Sequence, residues 1–219
     1  HESAPNALKN RILSGAVMIV LAVLFTAIGG WVFAALVAFC SMLMVYEWNT
    51  ICSKKGNIAA IGFQCALIWI VVIATKLEYP IIALVALGLS FPLGYILAKP
   101  LQGHSLWTPL GAIYAALPAM AIVWIRHYEG TGLSITVWLF VVIWATDIGG
   151  YLFGRTIGGP KLVPSISPNK TWSGLLGGMI LAIASSVALS FSFPYGAHFA
   201  ILAIIAALSA VWAQIGDIA

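Results

Sequence analysis

F-A-I-L-A-I-I-A-A-L-S-A-V-W-A-Q-I-G-D, Phe199 to Asp217, is an almost unbroken apolar run that closes on a carboxylate. Two other runs have the same form: Trp31 to Tyr46 ends at Glu47, and Trp138 to Ala145 is followed by Asp147. Each belongs to a segment long enough to cross a bilayer, which takes about 20 mostly apolar residues. A charge at the centre of such a segment costs roughly 2.5–3.5 kcal/mol on insertion scales, so it marks a functional site by default. The bland alternative, a carboxylate snorkelling from a helix end to water, weighs most for Glu47.

The rest of the chain agrees with a membrane setting. Of its 219 residues 62% are hydrophobic and 7% charged, whereas soluble domains run at about 25% charged. Mean hydropathy is +1.06. So few charges cannot cover a water-facing surface, and lipid must cover much of it. The expected fold class is all-α: a polytopic transmembrane helix bundle forming a single membrane-embedded domain over residues 1–219. The basic residues are too scattered for a nucleic-acid interface. Cys40, Cys52 and Cys65 form no C-x-x-C pair and read as small apolar packing residues. His104, His127 and His198 have no metal-ligand spacing.

Eight spans are expected, near 11–29, 31–48, 58–75, 79–98, 107–125, 133–153, 172–193 and 197–217. Gly29-Gly30, Glu78-Tyr79-Pro80 and Phe193 to Gly196 punctuate them as tight turns. Pro92 and Pro118 fall inside spans, where a kink is expected. With a cytoplasmic N-terminus, that side receives Lys9, Arg11, Lys54, Lys55, Lys99, Arg155, Lys161 and Lys170, and the other only Lys76 and Arg126. This is a positive-inside bias, and it puts Glu47, Asp147 and Asp217 near the cytoplasmic face.

The chemistry concentrates between Trp144 and Gly178. A carboxylate inside a helix, Asp147, leads into a Gly-rich stretch carrying Arg155 and Lys161. The stretch closes on Ser167-Pro168-Asn169-Lys170-Thr171, expected at the start of the seventh helix. Arg155, Lys161 and Lys170 suit phosphate charge. A helix N-terminus offers free N–H groups to an anion, with Ser167 or Asn169 as its cap or as a phosphate ligand. Carboxylates beside these cations would repel phosphate unless a divalent cation bridged them, which points to a Mg²⁺-bound polyphosphate. No Walker motif and no G-x-G-x-x-G is present. Gly150-x-x-x-Gly154 and Gly174-x-x-x-Gly178 also fit close helix packing in lipid, the preferred reading for the second pair.

From Thr146 to Gly174 the chain reads T-D-x-G-x-Y-x-x-G-R-x-x-G-G-x-K-x-x-P-x-x-S-P-x-K-T-W-x-G. This block resembles the phosphatidate cytidylyltransferase (CDP-diacylglycerol synthase) family, as do Y-E-W at Tyr46 to Trp48 and Q-x-G-D at Gln214 to Asp217. Ser173 stands where many members carry Glu. The family signature continues past the G-D pair with a Ser, a Lys-Arg pair, a Lys-Asp pair and an Asp-Arg-x-Asp, whereas this sequence stops at Ala219. On that resemblance the chain is expected to be truncated at its C-terminus.

The resemblance implies that CTP and phosphatidic acid give CDP-diacylglycerol and pyrophosphate by metal-assisted in-line nucleotidyl transfer. It implies catalytic roles for Asp147, Lys170 and Asp217, with Asp217 and Asp147 as Mg²⁺ ligands. Arg155, Lys161, Ser167, Pro168, Asn169 and Thr171 are the implied substrate-binding set. The partners implied are CTP, phosphatidic acid and the lipid bilayer, with no nucleic acid and, by resemblance alone, a homodimer. The expected location is a bacterial inner (plasma) membrane, multi-pass, with N-terminus and active site cytoplasmic. The competing readings are an ion-coupled transporter, which would place its charges midway across the membrane, and a CTP-dependent polyprenol or phytol kinase.

Overall fold

The computed structural model of the protein describes residues 4–52, 58–98, 106–193 and 198–217. Among these residues the eight helices are α1 (Ala4–Ile28), α2 (Gly30–Cys52), α3 (Ile58–Lys76), α4 (Pro80–Ala98), α5 (Trp107–His127), α6 (Gly132–Thr156), α7 (Trp172–Ser190) and α8 (Phe199–Gly216). Strands β1 (Lys161–Val163) and β2 (Ser167–Thr171) lie between α6 and α7. Seven helices, α2 to α8, are long and apolar enough to span a bilayer; in α1 the apolar stretch Val17–Ile28 is shorter. The protein is thus a multi-pass membrane protein with an almost purely helical fold. Lys54, Lys55, Lys99, His104 and the turn Pro194-Tyr195-Gly196 lie outside the described residues, as do the side chains of Lys9 and Arg11.

Which side of each helix faces inward follows from the solvent. Lipid tails are as apolar as leucine, so hydrophobicity does not sort the faces; small residues turn inward because they let backbones approach. In α8, Ala206 and Ala210 are fully buried, while Ile204 and Leu208 are 60% and 64% exposed.

The chain forms two compact units, His1–Leu133 and Ser134–Ala219. In the first, α2, α3 and α5 share a core that includes Ala38, Val45, Ile68, Val71, Ala112 and Ala116. A buried polar chain fixes their register: Asn49 Nδ2 donates to Gln64 Oε1 (2.6 Å), and Gln64 Nε2 donates to the Thr108 carbonyl (2.8 Å). Arg126 Nε donates to the carbonyl of Thr26 (2.8 Å), satisfying an acceptor at the end of α1. The guanidinium fits because Gly29, at φ +66°, has no side chain to meet it. His127 bonds to Lys76 Nζ and to Glu78, each at 3.0 Å. Glu47 belongs to this unit, exposed on α2.

The second unit holds most of α6, the hairpin, α7 and α8. Trp138 Nε1 donates to Ser186 Oγ (2.8 Å), which donates to the Leu202 carbonyl (3.2 Å), so one relay joins α6, α7 and α8. Toward the other end of α6, glycines meet glycines. A Cβ on Gly149 would lie 2.7 Å from the Gly177 carbonyl oxygen, one on Gly174 2.8 Å from that of Gly150, and one on Gly178 2.8 Å from that of Thr146. The packing reading of Gly174 and Gly178 is therefore correct, and it extends to the glycines of α6.

Candidate active site

Successive contacts along α6 and α7 run in opposite directions, from Thr146–Gly178 to Gly154–Gly174, so the two helices are antiparallel. α7 and α8 are antiparallel too, since Ser186 meets Leu202 at one end and Lys170 meets Gln214 at the other. The C-terminal ends of α6 and α8 and the N-terminal end of α7 thus share one end of this unit.

The turn between α6 and β1 contains Gly158 and Gly159 at φ +64° and +98°, a left-handed geometry that glycine adopts without strain. β1 and β2 pair antiparallel, Lys161 opposite Thr171 and Val163 opposite Ser167, with an irregularity between. The segment Ser167 to Thr171 is thus a strand that leads into α7, which begins at Trp172 where the expected span begins. The physical reason is Pro168, which disfavours a helical Ser167, together with the available partner strand. Neither Ser167 nor Asn169 caps α7. The cap is Thr171, extended at φ −122°, whose Oγ1 accepts from Gly174 N at 3.1 Å and lies 3.0 Å from Ser173 Oγ. Ser173 Oγ in turn donates to the Gly158 carbonyl. A serine here ties the glycine turn to the helix start.

These elements enclose a cleft of about 630 Å³. Its acidic lining is Asp147 and Asp217, its basic lining Arg155, Lys161 and Lys170, and Ser167, Asn169 and Thr171 come from the hairpin. Eight of the nine residues in the catalytic and substrate-binding set implied by the resemblance therefore share one cleft. Pro168 is the exception and does not line it. Thr171 lines it, but its hydroxyl is engaged in capping.

Lys170 is the best-held cation. Its Nζ lies 3.0 Å from Asp217 Oδ2 and donates to the Gln214 carbonyl at 3.3 Å, with the side chain 20% exposed. Asp217 is the C-cap residue of α8 and its side chain is 56% exposed, so the pair orients both groups more than it stabilises the fold. Asp147 lies on α6 within electrostatic reach of both Asp217 and Lys170. Arg155 is exposed, bonded to the Tyr151 hydroxyl and set over its ring at 5.8 Å. Among the described residues no group of three or more His, Cys, Asp or Glu forms a metal cluster.

Sequence reasoning passed over Gln214 as a functional side chain. It lines the cleft and is 9% exposed. The available signal was its polarity on an otherwise apolar stripe of α8.

Residues 9–219 match the sequence profile described as Cytidylyltransferase family. The chain is 33% identical over 215 residues to the phosphatidate cytidylyltransferase of Brucella suis biovar 1 (strain 1330), covering 97% of this chain and 78% of that protein. It is 25% identical over 195 residues to the protein of the same name from Staphylococcus aureus (strain COL), covering 85% and 72%. With that of Bacillus subtilis (strain 168) it shares 34% identity over 109 residues, 50% of this chain and 40% of the other. The match along almost the whole sequence, together with the Thr146 to Gly174 block that builds the cleft, shows that this chain belongs to the cytidylyltransferase family.

Proposed function

We propose that the chain is a phosphatidate cytidylyltransferase that converts CTP and phosphatidic acid into CDP-diacylglycerol and pyrophosphate. The observation that carries this reading is one cleft lined by two carboxylates and three cationic side chains, formed at the helix ends of a membrane unit. A triphosphate needs cations around it, and a lipid substrate needs them near a membrane surface.

In the reaction an oxygen of the lipid phosphate attacks the α-phosphorus of CTP. A new P–O bond forms, the bond from the α-phosphorus to the bridging oxygen breaks, and pyrophosphate carries away the electron pair. No covalent enzyme intermediate is needed, so the protein contributes positioning and charge. Lys170, steered by Asp217 and the Gln214 carbonyl, directs its ammonium at substrate phosphate. Arg155 and Lys161 add charge at the rim, while Ser167 and Asn169 offer hydrogen bonds from the hairpin.

Asp147 and Asp217 cannot face a polyphosphate unaided. Mg²⁺ typically binds through one or two carboxylates plus substrate phosphates, and this pair of acids fits that demand. Asp217 would hold the ion directly, and Asp147 directly or through water. When bound, Mg²⁺ supplies Lewis-acid neutralisation of the phosphate oxygens. We further place the N-terminus and the cleft on the cytoplasmic side of a bacterial plasma membrane, on the distribution of basic residues.

The test is pyrophosphate release by purified protein in lipid–detergent micelles with CTP and Mg²⁺, with and without phosphatidic acid. Release that requires the lipid, with CDP-diacylglycerol as product, is expected, and Lys170→Met should abolish it in a folded protein. CDP with a phosphorylated alcohol would indicate a kinase, and solute flux without nucleotide turnover a transporter. Full activity in Lys170→Met would reject the role given to that residue.

A further inference from the structure

α8 buries Leu202, Ala206, Ala210 and Gln214, a stripe with a spacing of four. The first three are apolar, as an inward stripe in lipid should be. The fourth, a residue 9% exposed, ends in a carboxamide. Its main-chain carbonyl accepts from Lys170, but its side chain has no hydrogen-bond partner among the described residues. Buried amides are almost always paired. Gln64, a fully buried glutamine, shows the ordinary solution, with Oε1 bonded to Asn49 and Nε2 to the Thr108 carbonyl.

The amide has a made place. Nε2 occupies the space beside Gly150, where a Cβ would come within 3.3 Å of it. Gly150 is three residues beyond Asp147 on α6, and Gln214 three before Asp217 on α8. Residues three apart share a helix face. Because α6 and α8 run parallel, Asp147 lies a turn below the amide and Asp217 a turn above it. All four residues line the cleft.

We propose that the Gln214 side chain donates a hydrogen bond from Nε2 to a phosphoryl oxygen of the bound nucleotide, making it a substrate-contacting residue of the transfer. This rests on the cytidylyl-transfer reading. Lys170 already has Asp217 and a carbonyl as partners, and the acids call for a cation; the amide is the neutral donor of this group, buried and without a side-chain partner among the described residues. A phosphate ester supplies the missing acceptor. A neutral donor holds that oxygen without competing with the cations for its charge, and being fixed in advance it reorganises little during reaction.

The full chain and its Gln214→Leu, Gln214→Asn and Gln214→Glu variants would be compared for CTP turnover with phosphatidic acid and Mg²⁺. The second readout is the shift in unfolding temperature produced by CTP. Leucine should fold with an unliganded melting temperature at or above the wild type. Its kcat/KM for CTP should fall roughly 10- to 100-fold, the range for a hydrogen bond to a charged group, and its CTP-induced shift should shrink. Asparagine, which retracts the amide by one methylene, should show the same loss and carries the test if leucine does not assemble. Glutamate should be worse than either, because a carboxylate repels phosphate. Turnover within twofold of wild type in a folded leucine or asparagine variant overturns the proposal. Glutamate equal to wild type with a lower Mg²⁺ requirement also overturns it, by making the side chain a metal ligand. A folded wild type inert towards CTP overturns the cytidylyl-transfer reading itself.

Discussion

The glycine contacts of α6 and α7 allow one perturbation to be worked through. In Gly149→Ala the new Cβ would stand 2.7 Å from the Gly177 carbonyl oxygen and 2.9 Å from the Gly178 Cα. Ordinary contact begins at 3.4 Å, so the clash is about 0.7 Å deep, and the atoms it meets are backbone and cannot rotate away. The helices must separate by a similar distance. Overpacking of this kind costs about 1–3 kcal/mol, offset by up to about 1 kcal/mol because alanine favours a helix. The net expectation is a loss of about 1–2 kcal/mol. Function should suffer more, because Asp147 is carried by α6 while Lys170 leads into α7. Misplacement near 1 Å can lower turnover about 100-fold, so a loss of roughly 10- to 100-fold in CTP turnover is expected with only a modest fall in melting temperature. Gly62→Ala and Gly88→Ala are controls, because a Cβ at either position meets nothing within 4 Å. Thermal unfolding in detergent and pyrophosphate release, measured on the same preparations, decide the matter. Wild-type turnover and stability in Gly149→Ala would refute the claim that glycine contacts set the spacing of the site.

Other outcomes follow from the same geometry. Thr171→Ala removes the α7 cap and leaves Gly174 N without its acceptor; thermal unfolding should register about 1 kcal/mol, and Thr171→Ser should recover most of it. Asp217→Asn should leave the melting temperature nearly unchanged, since its partly exposed pair with Lys170 adds little to stability, yet CTP turnover should collapse. A double-mutant cycle on Trp138→Phe and Ser186→Ala should return a coupling near 0.6 kcal/mol, the average for polar pairs between membrane helices. Chelation by EDTA should stop pyrophosphate release and added Mg²⁺ should restore it; release that persists in EDTA would remove the metal from the mechanism.

The cleft also explains why a membrane protein tolerates its charges. Asp147 and Lys170 would be costly if they faced lipid singly. Both line one concavity, where each feels the other's opposite charge. On the proposed function, charge neutralisation for chemistry and charge tolerance in a bilayer would be met by the same grouping of residues.

By itself the sequence determined that this is a bundle of membrane helices and where its spans run, and it singled out the block whose residues line the cleft. Those features are local: a length of apolar residues, a proline or glycine turn, a string of charged and small residues close in the chain. The expected spans near 133–153 and 172–193 match α6 and α7 to within a few residues. Only the tertiary structure decided that Ser167 to Thr171 is a strand, because a strand requires a partner, here Lys161 to Val163. It alone showed that Asp217, far along the chain, reaches Lys170, that Pro168 stands outside the cleft, and that Thr171 is occupied as a cap. It alone revealed Gln214 as a buried residue whose amide has no partner among the described residues. Burial and pairing are properties of what surrounds a residue in space, and in a chain where leucine suits both lipid and core, no local pattern reports them.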